Sequence, residues 1–447
     1  MEQKNDNLQA LKNDKFLDSI DAKSSLIFDR IYTVLAFWLV LTPFGASLFA
    51  LFGLKIELLV QGILISILFS LTWFIQFAFN LTKIKFKKPN LFQIVAMISG
   101  VFLLLSLLVS GVGDYSYILK YYSYIMAFLL FVKVDKKYYK LILFTFVIEM
   151  AADSIFGLID ARNKWFPGFT NTKYCLSMQF INPNYSAYSI VGVIAISLYM
   201  FLVEEKLWKK IVLGVSFVIM NVFLFINGTF VAETALFLIE IALLIYFWIK
   251  DKKCPYWIWA AIGVSLICSC FCIKGISTSY APYLVEGVAI VDDQLGTRFL
   301  EFFSNLFSAG GSSVSTVHGA DGRGRGELVA EALELCTGDV KTFFFGMGLG
   351  YCSGVRVHNL FLWLWVDFGI LFAISFYALV VSLIIMFAKS KTKTKTTIFL
   401  MITCMYLFMY NFGVFDFSFL FFMIFYSIFY NETKAIDNIK SETGLNK

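Results

Sequence analysis

Residues 357–388 read VHNLFLWLWVDFGILFAISFYALVVSLIIMFA, in which a histidine and an asparagine open a long apolar run with a single aspartate. The run is longer than the roughly 20 residues with which an α-helix crosses the hydrocarbon core of a bilayer. A helix is the structure expected there, because it pairs every backbone N–H and C=O group within the segment. The stretch therefore predicts a membrane helix over 358–388 whose first turns stand at or above the outer interface.

Runs of this kind recur along the whole chain of 447 residues. Hydrophobic residues make up 59% of the sequence and charged residues 15%, whereas about a quarter of a soluble protein is charged. The composition predicts an all-α, polytopic membrane protein of about twelve transmembrane helices. The predicted spans are 31–53, 58–81, 91–110, 117–132, 140–158, 184–203, 211–227, 229–249, 256–274, 358–388, 397–411 and 416–430.

Lysine and arginine concentrate on one side of these spans. Of the 37 Lys and Arg residues, 26 lie in the two termini and in the loops that share their side. The positive-inside rule then makes both termini cytoplasmic, and topology alone accounts for the net charge of +6, without a nucleic-acid partner. We expect the protein in the cell (cytoplasmic) membrane.

This orientation divides the chain into five parts. Residues 1–30 and 431–447 are predicted cytoplasmic tails, and 31–274 hold the first nine helices, with an outer loop near 159–183. Residues 275–357 form one large extracytoplasmic loop, and 358–430 hold the last three helices. A substrate handled outside the membrane has to meet these two outer loops.

The large loop contains arginines among glycines. Arg323 and Arg325 alternate with Gly322, Gly324 and Gly326. Glycine lets a backbone approach a ligand closely, and the planar fork of arginine matches phosphate oxygens. A flexible surface loop with solvated charges would show the same residue types, so both interpretations stay open. The segment that follows places these apolar side chains on one helical face: Leu328, Val329, Ala332, Leu333 and Cys336.

His358 is one of only two histidines in the chain and lies where the polar loop becomes the tenth span. An imidazole with its unperturbed pKa of about 6.5 suits the acceptance of a proton from a hydroxyl group. The alternative is an interfacial histidine with satisfied hydrogen bonds. Asp367 falls near the opposite face of an ideal helix and is not its predicted partner. His318, among Ser, Thr and Gly, reads as an ordinary loop residue.

The sequence predicts neither a metal nor a cofactor. Two histidines and scattered cysteines give no metal-ligand spacing. Gly346, Gly348 and Gly350 lack the strand and the Lys-Ser/Thr of a nucleotide-binding loop, so a tight turn back to the membrane is expected. The two cysteines of the large loop, Cys336 and Cys352, could form a disulfide, which their spacing does not decide.

Acidic residues inside predicted spans need an explanation, because each costs about 2.5–3.5 kcal/mol near the bilayer centre. Glu149 and Asp153 share a face of the fifth span, and Glu233 and Glu240 share a face of the eighth. Contacts between helices, an acceptor pocket and a proton path are three interpretations that the sequence leaves open.

The carboxy-proximal half of the chain resembles the O-antigen polymerase and O-antigen ligase family, over roughly residues 160–390. The resemblance rests on the arginine-containing amphipathic stretch, on Phe-Gly-Met-Gly-Leu-Gly at 345–350, on His358-Asn359-Leu-Phe-Leu, on Asp367-Phe-Gly369 and, upstream, on Asn182-Pro183-Asn184-Tyr-Ser-Ala. Twelve spans with the large loop between the ninth and the tenth also resemble that family.

The resemblance implies a metal-independent glycosyltransferase that moves a glycan from undecaprenyl pyrophosphate to an acceptor hydroxyl outside the membrane. His358 would be the catalytic histidine, as a general base or a group that orients the acceptor, and Arg325 with Arg323 would neutralise the pyrophosphate. Asn359, Asn184 and Glu233 are further candidates for the site. The implied partners are a lipid-linked oligosaccharide, membrane lipid and other polysaccharide-assembly proteins.

One departure from the family concerns the turn between the seventh and eighth spans, which usually carries an arginine. Here residues 227–233 read Asn-Gly-Thr-Phe-Val-Ala-Glu, without one. If two cationic groups are needed, the candidates for the second are Arg162, Lys173 and Arg298.

A Wzy-like polymerase of capsular, O-antigen or exopolysaccharide repeat units is the leading hypothesis. A ligase that attaches a finished glycan to a lipid or a protein uses the same donor chemistry and is the first alternative. A transporter of polysaccharide precursors, with the buried glutamates as coupling groups, comes next. It is disfavoured because only Pro43 breaks a predicted span and the conspicuous polar residues gather in an outer loop.

Overall fold

The computed structural model of the chain is helical throughout the residues that it describes. These are residues 2–52, 58–80, 89–163, 183–227, 229–251, 255–271, 325–352, 357–388, 393–412 and 418–442. The helices are α1 (Glu2–Leu51), α2 (Leu58–Asn80), α3 (Leu91–Ser110), α4 (Ser116–Lys133), α5 (Tyr139–Asn163), α6 (Pro183–Val203), α7 (Leu207–Asn227), α8 (Phe230–Asp251), α9 (Tyr256–Phe271), α10 (Arg325–Thr337), α11 (Val340–Phe345), α12 (Leu360–Phe368), α13 (Ile370–Ala388), α14 (Lys393–Phe412) and α15 (Ser418–Glu442).

Eight helical segments in the described part of the chain are long and apolar enough to cross a membrane. They are Ser25–Phe49, Leu58–Asn80, Leu91–Ser110, Lys136–Leu158, Asn184–Val203, Leu207–Asn227, Phe230–Lys250 and Ile370–Ala388. Two shorter apolar segments, Tyr256–Ser269 and Thr397–Phe412, accompany them. The prediction of an all-α, multi-pass membrane protein is confirmed at this level, while the count of twelve and the orientation stay predictions.

Polar contacts show which helix ends lie together. Glu204, which follows α6, forms an ion pair with Lys140 at the start of α5, with 3.1 Å between Oε2 of Glu204 and Nζ of Lys140. Asn431 of α15 donates from Nδ2 to the carbonyl oxygen of Phe131 in α4 (3.1 Å) and to the hydroxyl of Tyr139 in α5 (2.5 Å). We call this the lysine end of the bundle, and the opposite end, where α12 begins, the His358 end.

Helix α6 lies at the centre of the bundle and packs against α5, α7, α8, α14 and α15. A Cβ atom at Gly192 would overlap the ring and hydroxyl of Tyr406 in α14, so the Tyr406 side chain packs directly on the backbone of α6 there. In contrast, α2 and α3 expose large apolar side chains such as Phe74 and Leu108. Lipid is the environment that suits such exposed faces.

Two of the acidic residues inside spans join α5 to α1. Pro43 lies inside α1 and has no N–H to donate. The N–H of the next residue, Phe44, donates to Oε1 of Glu149 at 2.7 Å. One turn further along both helices, Ser47 hydrogen-bonds Asp153. Of the three interpretations of these acidic residues, contacts between helices are the one that the geometry favours for this pair.

The run predicted as one helix over 358–388 is two helices, α12 and α13, separated at Gly369. Gly369 has φ = 84°, in the left-handed region that favours glycine, and its N–H donates to the carbonyl oxygen of Trp365 at 2.8 Å. A Cβ atom at this position would overlap the carbonyl oxygen of Phe344, because α11 packs into the break. The apolar pattern is continuous across Gly369, so it carries no sign of this break.

The glycine series at 346–350 contains the predicted tight turn, because the N–H of Tyr351 donates to the carbonyl oxygen of Gly348 at 3.2 Å, and it also makes contacts that the sequence did not predict. Gly346, Gly348 and Gly350 all have positive φ, and the segment runs beside the end of α12. Met347 N–H donates to the carbonyl oxygen of Val366 at 2.7 Å. On its other side, the carbonyl oxygen of Leu349 accepts the N–H of Gly113 at 2.9 Å. The segment is therefore hydrogen-bonded on one side to α12 and on the other side to the connection from α3 to α4.

Candidate functional site

His358 lies immediately before α12, and Asn359 fixes the start of that helix. The side-chain oxygen of Asn359 accepts the N–H of Leu362 at 3.0 Å, as an N-cap residue does. Its amide nitrogen donates to the main-chain oxygen of Asn411 at 3.1 Å. Val357 is buried, whereas His358 is partly exposed. The imidazole is thus carried by a backbone anchored on both of its sides.

Asn411, near the end of α14, ties three helices together beside His358. Its side-chain oxygen accepts the hydroxyl of Tyr377 in α13 at 2.8 Å, and its amide nitrogen donates to the carbonyl oxygen of Leu407 at 2.7 Å. Sequence reasoning did not select Asn411 or Tyr377. An asparagine at the end of an apolar run was a visible signal, but nothing in the sequence linked it to Asn359.

A second polar group lies at the same end of the bundle, where α6 begins, α7 ends and α8 begins. Asn227 donates from Nδ2 to the Ser186 hydroxyl at 3.2 Å. The Thr229 hydroxyl lies 2.5 Å from Oδ1 of Asn227 and 3.3 Å from Oδ1 of Asn184. Asn184, a predicted candidate, is therefore in contact with Thr229, in the connection between α7 and α8.

Glu233 lies in the first turn of α8, next to this polar group, and its side chain is buried. Its N–H donates to the carbonyl oxygen of Thr229 at 3.1 Å, in the first turn of the helix. Thr229 thus links the start of α8, where Glu233 lies, to Asn184 in α6.

Two tyrosines join the two polar groups. Tyr188 follows Asn184 by one turn of α6, and its ring meets that of Tyr410 in α14 edge-on, with 6.1 Å between the centroids. Tyr410 immediately precedes Asn411, which holds Asn359. Four predicted site residues therefore lie at the His358 end: Asn359, which is hydrogen-bonded to Asn411; His358, which precedes it; Asn184, which contacts Thr229; and Glu233, in the first turn of α8.

The structure describes the backbone of two of the five cationic candidates. Arg325 is the first residue of α10 and Arg162 lies in the last turn of α5; their side chains lie outside the described residues. Arg323, Arg298 and Lys173 lie outside the described residues altogether. Helix α10 packs against α12, so the helix that opens with Arg325 contacts the helix that follows His358.

The packing of α10 uses a narrower face than the one predicted. Leu328, Ala332 and Cys336 are buried at successive turns and form one stripe. Val329 is half-buried beside them, but Leu333 is 40% exposed. The predicted amphipathic helix is present, with Leu333 on its outer face.

Asp367 has a role that the sequence did not reveal. Its carboxyl group is buried and accepts the backbone N–H groups of Cys352 (2.8 Å) and Gly350 (3.1 Å). Two backbone N–H groups near the end of the glycine segment thus donate to one carboxyl group. Asp367 therefore holds the glycine segment against α12, which agrees with the prediction that it does not partner His358.

Cys336 and Cys352, which the sequence left as a possible pair, are both free and buried in the structure. Burial raises the pKa of the Cys336 thiol to about 12, and burial also raises the pKa of Cys352. Because the thiolate is the reactive form, neither cysteine is poised for nucleophilic chemistry near neutral pH.

The comparisons with known proteins add no family to this picture: no family model matches the chain, and no curated protein sequence matches it.

Proposed function

We propose that the chain is a metal-independent membrane glycosyltransferase, a Wzy-like polymerase of undecaprenyl-pyrophosphate-linked oligosaccharide repeat units that works on the outer face of the cytoplasmic membrane. One observation carries the proposal. His358 and Asn359 lie at the same end of the bundle as Asn184 and Glu233, and Asn411, Tyr410 and Tyr188 connect the two groups. These four residues are the ones that the sequence resemblance selected.

The partial exposure of His358 supports a role as general base. In the proposed reaction the acceptor hydroxyl oxygen attacks the anomeric carbon of the donor, and the bond from that carbon to the pyrophosphate oxygen breaks. The hydroxyl proton passes to the imidazole, and undecaprenyl pyrophosphate leaves as an anion. Such assistance contributes about 10²–10⁴-fold in rate.

The leaving pyrophosphate gains negative charge, so a nearby cation stabilises the transition state. Arg325 and Arg323 are the proposed groups, supported by the packing of α10 against α12. Arg298, Arg162 and Lys173 are the candidates for a second cationic contact. Asn184, Asn227 and Thr229 present amide and hydroxyl groups, the kinds of group that hydrogen-bond sugar hydroxyls.

The test is extension of a purified, lipid-linked repeat unit by the full protein reconstituted in liposomes. We expect the wild-type protein to produce a ladder of longer glycans and His358→Ala to lower the rate by about 10²–10⁴-fold. His318→Ala, the only other histidine change available, is the matched control and should extend normally. A folded His358→Ala protein that extends at the wild-type rate would contradict the proposed role of the imidazole.

The same assay separates the polymerase from the ligase alternative. A polymerase lengthens the lipid-linked repeat unit when it is the only substrate present. A ligase consumes the donor only after a separate lipid or protein acceptor is added. Donor consumption that depends wholly on such an acceptor would replace the polymerase proposal with the ligase.

A further inference from the structure

Three polar side chains meet deep inside the bundle, where α7, α8 and α9 pack together. Glu240, near the middle of α8, Asn221 of α7 and Ser265 of α9 are each at most 1% exposed. The hydroxyl oxygen of Ser265 lies 2.7 Å from Oε1 of Glu240 and 2.9 Å from Oδ1 of Asn221. This group lies away from the candidate site at the His358 end.

The hydrogen count at these contacts identifies the state of the carboxyl group. The amide nitrogen of Asn221 donates to the carbonyl oxygen of Phe217 at 2.9 Å, so Oδ1 is the atom that faces Ser265. The serine hydroxyl has one hydrogen and can donate to only one of its two oxygen neighbours. An ionised carboxylate only accepts, so it would leave one of the two short contacts without a hydrogen. A proton on Glu240 completes both contacts.

The burial of the Glu240 carboxyl group also indicates that it is protonated. Oε2 of Glu240 is buried and has no hydrogen-bond partner among the described residues. The ion pairs within the described part of the chain involve Asp135 and Glu204 but not Glu240. An unpaired carboxylate in the interior costs several kcal/mol, which a neutral carboxyl group avoids.

The helices that pack against α8 offer no carboxylate or arginine to share this proton within the described residues. Their lysines with described side chains, Lys209 and Lys210, lie in the first turn of α7, at the lysine end. The other described titratable side chains of α6, α7, α9, α14 and α8 itself are Tyr185, Tyr188, Tyr199, Tyr256, Cys268, Cys404, Tyr406, Tyr410, Glu233, Tyr246 and Lys250.

A metal ion fits the distances less well. A hard cation such as Ca²⁺ keeps each oxygen ligand about 2.3–2.6 Å away and stands between its ligands. The oxygens of Glu240, Ser265 and Asn221 instead approach each other directly at 2.7 and 2.9 Å, which are hydrogen-bond distances.

We propose that Glu240 is a proton-binding site inside the membrane, where one exchangeable proton completes the chain from Glu240 through Ser265 to Asn221 and joins α7, α8 and α9. Loss of the proton breaks the C–O–H···O hydrogen bond to Ser265 and leaves a buried carboxylate. The proposal does not depend on the glycosyltransferase activity.

Infrared difference spectroscopy on the full protein in lipid nanodiscs tests whether Glu240 carries a proton. The difference spectrum, wild type minus Glu240→Gln, is recorded at neutral pH, once without Na⁺ and once with added Na⁺. Both spectra should contain the carbonyl stretch of one protonated carboxyl group, and this band should shift in D₂O. Ser265→Ala should keep this band and move it to higher frequency, because the carboxyl loses its hydrogen-bond acceptor. Glu205→Gln, which changes an exposed glutamate at the lysine end, is the matched control and should leave the band unchanged.

Two results would overturn the proposal. The first is the absence of the band from the wild-type spectrum at neutral pH. The second is a band that disappears when Na⁺ is added, which would make the site a cation site. If Glu240→Gln does not fold, the band and its shift in Ser265→Ala are read from the wild-type and Ser265→Ala proteins directly.

Discussion

Two buried tyrosines differ in what their hydroxyl groups contact, and the difference predicts the effect of removing them. The Tyr139 hydroxyl donates to the carbonyl oxygen of Phe131 at 2.7 Å and accepts from Asn431. The Tyr406 hydroxyl has no hydrogen-bond partner among the described residues and lies against Gly192. We expect Tyr139→Phe to lower the free energy of unfolding by about 1–2 kcal/mol and Tyr406→Phe to leave it unchanged or raise it.

Thermal unfolding of the purified protein in one detergent measures both changes. Each substitution removes a single oxygen atom from a buried ring, so the two variants control for each other. Equal losses of stability in the two proteins would mean that the hydrogen bonds of Tyr139 carry no net energy. A loss of stability confined to Tyr406→Phe would show that the Tyr406 hydroxyl makes a stabilising hydrogen bond, contrary to the prediction.

At the scale of elements, the break between α12 and α13 depends on Gly369. A side chain there is strained by about 1–2 kcal/mol at φ = 84° and overlaps the backbone of α11 at Phe344. We expect Gly369→Ala to lower the unfolding free energy by about 2–4 kcal/mol in the same thermal assay. Gly263→Ala is the control, since a Cβ atom at that position in α9 meets no atom within 4 Å. Equal stability of the two variants would show that α11 does not hold the break.

Many of the helices could be predicted, but the break at Gly369 could not. Apolar runs of membrane length predict α2, α3, α6 and α8 almost at their observed bounds, because lipid forces the backbone of such a run into a helix. The break at Gly369 depends on α11, which reaches it from a distant part of the chain, and no local pattern records that contact. The same holds for the glycine segment, whose conformation is fixed by Asp367 and by the connection that contains Gly113.

At the scale of the whole molecule, the candidate site illustrates the same limit. Single residues such as His358 and Asn184 stand out in the sequence because polar groups at the ends of apolar runs are few. The sequence could not predict that α6, which carries Asn184, and α14, which holds Asn359 beside His358, meet through Tyr188 and Tyr410. From the sequence, a polar side chain inside a span indicates only a free-energy cost of burial. The residue that hydrogen-bonds to it, such as Ser265 for Glu240, is known only from the structure.

The orientation of the whole bundle decides which compartment the His358 end faces, and two exposed tyrosines test it. Tyr115 lies beside the connection that holds the glycine segment, and Tyr256 begins α9 at the lysine end; they are 74% and 92% exposed. A membrane-impermeant maleimide should label Tyr115→Cys in intact cells and Tyr256→Cys only after permeabilisation. The unsubstituted protein, with its own eight cysteines, sets the background. The reverse pattern would turn His358 towards the cytoplasm, away from lipid-linked glycans on the outer leaflet, and would remove the proposed polymerisation from this site.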